Sequence, residues 1–304
     1  MKLPVRATFA AIAAAVVLSG CAPDVLVILD PILSATADSD GHLSRELHRS
    51  ARAQRARAQV VPLEELTAAA LAHALETHTA PTVLLPALVG RMALQAAADF
   101  PERRFYMIGR DTAAPAPNVA AVRFERGAAF EAAARTAVDF LAADRNSGSS
   151  AGCALLFLAD SPQRAGELER FRRSFEERRD MRGFSESELA LTVYEYSSVP
   201  DRDALREALD SDSRLLAFFL GEANAAAWEA IGSRNTAIIS EWLPPQQADA
   251  RVIGWIEHSW SDALQAVLAA DRSAVLEVAA RFVDGPAISS GRVNSMPAAA
   301  DAGK

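Results

Sequence analysis

Lysine is all but missing from this chain of 304 residues: it stands only at Lys2 and Lys304, so nearly every positive charge is an arginine. Chemistry that needs an internal lysine is thereby excluded, Schiff-base formation and the phosphate-gripping lysine of a P-loop among it. Cysteine is as scarce, at Cys21 and Cys153, too few for a disulfide framework. The five histidines are scattered, and His73 and His78, five apart and off a shared helical face, make poor zinc ligands. Positive charge is in deficit, 31 basic against 39 acidic residues for a net of −8, which argues against nucleic acid as a partner, since that affinity rests on clustered cations. No serine lies in a G-x-S-x-G elbow and the acidic residues are too diffuse to nominate a hydrolase pair, so neither an enzyme, a metal nor a cofactor is expected. What the chain has in quantity is apolar surface: half its residues are hydrophobic, enough at this length for two modest domains with cores of their own.

The amino terminus reads as an address. Lys2 and Arg6 form a short positive region and Ala7 to Val17 an apolar run, shorter than the ~20 residues that span a bilayer, which is the pattern of a secretory signal over residues 1–20. It ends in Leu18-Ser19-Gly20-Cys21, which resembles the lipobox of bacterial lipoproteins; the resemblance implies a lipid on Cys21, residues 21–23 being the anchor and its tether. Cleavage there leaves 29 basic and 39 acidic residues, a net charge of −10. Only Ala22 and Pro23 separate Cys21 from Asp24. A link of that length reaches ~10 Å at most, so the folded body is expected close to a membrane of the bacterial envelope.

The body alternates strand and helix. Val25–Leu29 is a continuous apolar run of the kind that forms a buried parallel strand, followed by a polar loop to Gly41. Helices are expected over 43–57, 64–76, 89–99 and 128–143, and strands at 60–61, 82–85, 104–108 and 119–124. Residues 145–150 (RNSGSS) read as a linker, after which strands at 153–158, 191–196, 215–220 and 236–239 alternate with helices at 163–179, 202–209 and 224–231. Such βαβ grammar predicts an α/β protein of two similar lobes, each a doubly wound parallel sheet flanked by helices, over 24–145 and 151–250. A return segment, 251–284, is expected to supply a strand at 252–256 and helices at 261–269 and 273–282, before a final crossover and tail over 285–304.

An address and two lobes of this size resemble a type 1 periplasmic binding protein, and the order of segments is most similar to the basic membrane protein family of substrate-binding lipoproteins. The resemblance is carried by Phe100 to Gly109 (FPERRFYMIG), by Arg170 to Phe175 (RFRRSF), and above all by Pro117 to Ala133 (PNVAAVRFERGAAFEAA). It implies capture of a small solute between two lobes for an ABC-type importer, with hinges near 125–128, 251–259 and 285–293. Three departures bear on the ligand. Pro31 to Gly41 has no aromatic residue for the base stacking of nucleoside-binding members, Ser240-Glu241-Trp242 replaces the family's Gly-Val-Asp, and the sugar-holding lysine near Ser259 is missing.

In doubly wound sheets ligands bind beyond the carboxyl ends of the strands. The candidate ligand-binding residues are therefore Asp30, Ser34, Arg110, Asp111, Phe124, Asp160, Glu222, Glu241, Trp242 and Glu257. Acids outnumber Arg110 in this set, which favours a polar or cationic solute over an anion. Two partnerships stay open: an importer permease, or, for a transport-inactive lipoprotein, another envelope protein bound at the outer surface.

Overall fold

Five residues explain where the first sheet begins. Val25–Leu29 (β1) is buried along its whole length, and each such side chain contributes about 1.5–3 kcal/mol by leaving water, so the run can only be a central strand covered on both faces. The computed structural model describes residues 22–38, 40–109, 116–143, 151–209, 213–221, 224–231, 236–241, 251–270 and 275–285.

After β1 the chain does not loop, as expected from its polarity, but forms helix α1 (Pro31–Ala37). The reason is local: Asp30 accepts the Leu33 N–H at 2.8 Å as an N-cap, and Pro31 enters the first turn, where its missing N–H costs nothing. There follow α2 (His42–Ala53), β2 (Ala58–Pro62), α3 (Ala68–Thr77), β3 (Thr82–Pro86), a 3-10 turn at Ala87–Val89, α4 (Gly90–Asp99), β4 (Arg104–Ile108) and β5 (Val119–Glu125). Helix α2 stops short of the expected 57 because Arg55 turns into the left-handed region at φ 59. The second run comprises α5 (Gly127–Ala143), β6 (Ala151–Leu158), α6 (Pro162–Met181), β7 (Leu189–Tyr196), α7 (Arg202–Leu209), β8 (Leu215–Phe219), α8 (Asn224–Ile231) and β9 (Ala237–Glu241). The linker read at 145–150 lies outside the described residues.

The end of the chain corrects the expectation most. Where a helix was read over 273–282, two strands form, β11 (Val275–Ala279) and β12 (Arg281–Asp284), after β10 (Val252–Glu257) and α9 (Trp260–Ala269). Strand β12 lies antiparallel to β10 with Gly254 opposite Asp284, and the Phe282 ring covers Gly254 so closely that a Cβ there would overlap it. The partner strand decides the conformation of this short segment, which its alanine spacing alone does not.

The strand orders are β11-β5-β4-β3-β1-β2 and β12-β10-β9-β8-β6-β7. The pairings among β1 to β5, and among β6 to β10, are parallel. Each sheet thus repeats one topology, reversing direction at the β1/β3 pair in the first and the β6/β8 pair in the second. Two compact units result: the described residues up to Phe124 with Ser259–Val278, and Glu125–His258 with the described residues from Ala279. The chain passes between them after Phe124, His258 and Val278, so the third passage precedes the region from 285 read as a hinge. Helix α5, counted with the first lobe in the sequence reading, packs on α6 in the second unit. The return segment is likewise divided, α9 packing on α2 while β10 and β12 extend the second sheet.

The first core gathers Leu26, Ile28, Leu71, Val83, Leu85 and Phe105. The second gathers Leu156, Leu205, Leu216, Phe218, Ile231 and Ile238 on one face of its sheet, with Trp228 and Trp255 packed against them. Trp260 is buried in the first unit. Three of the four tryptophans are therefore core residues, and the fourth, Trp242, lies outside the described residues. Cys153 is fully buried in β6, and burial pushes its thiol up to about 12, so it acts as a small apolar core residue.

Candidate functional site

In the first unit the carboxyl edge is finished by backbone. Asp30, at the end of β1, is 3% exposed and holds the start of α1; Ser34 stands one turn into that helix, half-buried, its N–H bonded to the Asp30 carbonyl. Phe124 is buried at the end of β5. Arg110 and Asp111 lie outside the described residues, just past the left-handed Gly109 that ends β4.

The carboxyl edge of the second unit is built from buried ions. Ser161 caps α6 by accepting the Arg164 N–H, which aims the Arg164 side chain back at the sheet. Its Nε donates to the carbonyl of Leu158, at the end of β6, at 3.1 Å; one terminal nitrogen donates to the carbonyl of Phe219, at the end of β8, at 2.7 Å. Arg164 therefore sits at the point where the strand order reverses. The same guanidinium meets both oxygens of Glu241 at 3.2 Å and one of Glu167 at 3.2 Å. It also lies 4.7 Å from the centroid of the Phe157 ring. Phe130, Phe157, Phe171 and Phe219 pack edge to face around that position, with centroids 4.9–6.0 Å apart. Arg126 closes the cluster, its Nε donating to Glu167 at 2.9 Å and its terminal nitrogen lying 3.7 Å from Glu241.

Two guanidinium groups thus balance two carboxylates, in a site where Glu241 is 1% exposed. Burial alone would push the Glu241 carboxyl up, but Arg164 and Arg126 outweigh it and hold the group below its ordinary value. Glu167 is raised, because burial prevails over the attraction of Arg126 and Arg164. His258, at the end of β10, has its Nε2 3.8 Å from Glu241. Burial, reinforced by the two guanidinium charges, pushes the imidazole down to about 3 despite Glu241, so it is neutral at physiological pH. A charge-balanced, buried cluster is a scaffold: it fixes the strand ends and leaves no net charge for a solute to pair with.

Of the candidates read from sequence in this unit, Glu241 belongs to the cluster, while Asp160 and Glu257 are exposed at the ends of β6 and β10. Glu222 and Trp242 lie outside the described residues, as does Cys21. Arg126, Arg164 and Glu167 were missed. The available signal was Ser161-Pro162 as a helix start directly after a strand, with Arg164 and Glu167 one turn apart on the inward side. Among the described residues no group of three or more His, Cys, Asp or Glu side chains could hold a metal ion.

No protein-family model matches the chain, and no curated protein matches it. Solved structures do. An ABC transporter, LacI family transcriptional regulator from Brachyspira murdochii superposes with a TM-score of 0.58 at 13% identity, covering 90% of this chain and 98% of its own. An ABC transporter system solute-binding protein from Aeropyrum pernix K1 gives 0.56 at 14% identity, covering 86% and 77%. An ABC domain in complex with L-Trp from Streptococcus pneumonia gives 0.50 at 12% identity, covering 90% and 96%. Their names describe binding or regulatory proteins, and at these identities the likeness is one of fold.

Proposed function

We propose, from the premise that this chain has the two-lobed fold of type 1 periplasmic binding proteins, that it is a solute receptor of the bacterial envelope and not an enzyme. The observation that carries the reading is the pair of matched doubly wound sheets joined by three chain passages, the architecture in which two lobes close on a ligand. Residues 1–20 serve as its signal, Cys21 as its lipid-bearing residue and 21–23 as its tether; no helix among the described residues is long and apolar enough to cross a membrane. Its partner on this reading is the permease of an ABC-type importer. The finer kinship, to the basic membrane protein family, rests on the PNVAAVRFERGAAFEAA segment, which holds β5 and the start of α5.

Two of the acids counted toward the solute have structural roles. Glu241 is paired with Arg164 and Arg126 and Asp30 caps α1, which leaves Asp111, Asp160, Glu222 and Glu257 against Arg110 in the candidate set. A small polar or cationic solute remains the reading, contacted by Ser34, Asp160 and Glu257, and by Arg110, Asp111, Glu222 and Trp242; Asp30, Phe124 and Glu241 support the edge. A ligand at 100 times its Kd stabilises the protein by about 2.7 kcal/mol. A thermal-shift panel of sugars, nucleosides, amino acids and polyamines should therefore show a shift with at least one polar or cationic member. A shift with acidic amino acids alone would overturn the polar-or-cationic reading.

One observation favours a second reading, the transport-inactive lipoprotein that contacts another envelope protein. Arg164 fills the strand-reversal point of the second unit with the protein's own hydrogen bonds, where doubly wound folds hold ligands. No shift across the panel, together with recovery of an envelope protein other than a permease by crosslinking in cells, would establish it.

A further inference from the structure

Two helices of this protein are rich in arginine and use it in opposite ways. On α6 and at its C-cap, Arg170, Arg172, Arg173, Arg178, Arg179 and Arg182 each lie within 4.0 Å of an acidic side chain. On α2 and the turn after it, Arg49, Arg52 and Arg55 are exposed and have no acidic partner among the described residues. The buried face of α2 is Leu43, Leu47, Ser50 and Ala51, packed on α9, where Ser50 Oγ donates to the Ser261 carbonyl at 3.1 Å and accepts from Gln265 at 3.0 Å. At roughly 100° per residue, Arg45, Arg49 and Arg52 share an arc about 60° wide directly opposite that face. Arg45 donates to the Asp40 carbonyl at 2.9 Å. Arg52 lies in the last turn, where the helix dipole accounts for a cation, but Arg49 lies outside that influence.

The turn after α2 adds to the contrast. The Ala56 N–H bonds the Ala51 carbonyl and the Arg55 N–H that of Arg52, a Schellman ending with Arg55 in the left-handed position that glycine usually takes. A cation stands there at the expense of backbone strain. Arg57 then leads into β2, where its N–H bonds the Asp24 carboxylate at 2.8 Å and its carbonyl accepts the Asp24 N–H at 2.9 Å. The carboxyl end of the arginine face is thus bonded to the residue three positions after Cys21.

We propose that the exposed arginine face of α2 and its turn docks on the anionic phospholipid headgroups beside the protein's own lipid anchor. The proposal rests on the reading of Cys21 as the lipid-bearing residue. The tether's ~10 Å reach matches the ~8 Å over which a charged membrane surface acts at physiological salt, so a face held beside Asp24 stays within that field. Guanidinium groups pair with phosphate oxygens in a bidentate fork, and a chain with a net charge of −10 after cleavage is attracted to such a surface only through a face of this kind. Docking would set which way the folded body faces above its anchor.

The test separates the surface from the anchor. The full chain carrying Cys21→Ser, which cannot accept the lipid, is partitioned onto vesicles of 30% phosphatidylglycerol in phosphatidylcholine and onto phosphatidylcholine alone; its amino-terminal apolar run and the cations Lys2 and Arg6 are common to every variant compared. The phosphatidylglycerol-dependent partition should fall about fivefold per arginine removed, on the order of a hundredfold for Arg49→Gln, Arg52→Gln and Arg55→Gln together, and should weaken with added salt. The matched triple Arg170→Gln, Arg172→Gln, Arg173→Gln, of identical charge, should leave it within about twofold. Equal partition on both vesicles, or equal loss from both triples, overturns the proposal. Binding of poly-glutamate by the same face without any phosphatidylglycerol dependence would overturn it in favour of an acidic protein partner. The intact mass of the unsubstituted chain from the membrane fraction reports separately on the anchor: an unmodified Cys21 refutes the anchor reading, whatever the vesicles show.

Discussion

The two carboxyl edges of this molecule share a strand order and are finished in different currencies. In the first unit the residue after the leading strand, Asp30, caps a helix with one backbone hydrogen bond. In the second the equivalent cap is Ser161, and the residue it caps, Arg164, also binds the last residues of two strands and two buried carboxylates at once. A cap is local and replaceable. A buried ion cluster is neither, because each member exists to neutralise another. The difference teaches that equal topology does not give equal sites: the second edge holds a buried, charge-balanced cluster at its strand-reversal point, whereas the first has a capped helix there.

The sharpest way to break that comparison is to remove one ion. Arg164→Leu strands Glu241 in a buried site and should lower stability by about 3–5 kcal/mol in urea unfolding, whereas Arg164→Leu with Glu241→Leu should recover most of the loss, since a buried pair replaced by apolar groups is often neutral. A loss under about 1 kcal/mol for the single variant would mean that the cluster is open to water.

A smaller effect concerns pH. His258 is held neutral in the folded protein, to about 3, while the unfolded chain takes up the proton near 6.5. The unfolded state therefore binds more protons across that window, and stability falls as pH drops through it, by about 2 kcal/mol between pH 6.5 and 5. Glu167, whose folded value is raised, opposes this in the lower part of the window, because there the folded state holds the extra proton. In His258→Asn the slope between pH 6.5 and 5 should disappear; an unchanged slope would place the linkage elsewhere.

Asp30→Ala should cost about 1 kcal/mol, the ordinary value of an N-cap, and so mark the contrast with Arg164 from the other side. A loss as large as that of Arg164→Leu would show that Asp30 carries more than a cap. The smallest effect is a gain. Arg55→Gly should raise stability by up to about 1 kcal/mol by relieving the left-handed arginine, and no gain would mean that the turn relaxes without it.

These contrasts were only partly visible in the amino-acid sequence. The central strands were legible because both of their faces are buried, so VLVIL, CALLFL and LLAFF stand out as unbroken apolar runs. Helix α1 was hidden by its polarity, although its Asp-Pro start was in plain view. The 275–284 segment was misread because its two short strands are defined by β5 and β10, far away in sequence, and by the Phe282 ring lying on Gly254. At the site, Glu241 was found by its place at a strand end, but its partner is 77 residues distant, and no local pattern announces such a pair. The charge of a site is a property of what meets there, and of the acids counted at strand ends Glu241 is paired by Arg164 and Asp30 holds a helix start.

Mass spectrometry of the protein purified without refolding, recorded under native and then denaturing conditions, tests the receptor reading most directly. That reading predicts one small polar or cationic molecule per chain in the native spectrum, lost on denaturation and able to shift the melting temperature when added back. Identical masses in both spectra, with no member of the solute panel shifting the melt, would contradict it.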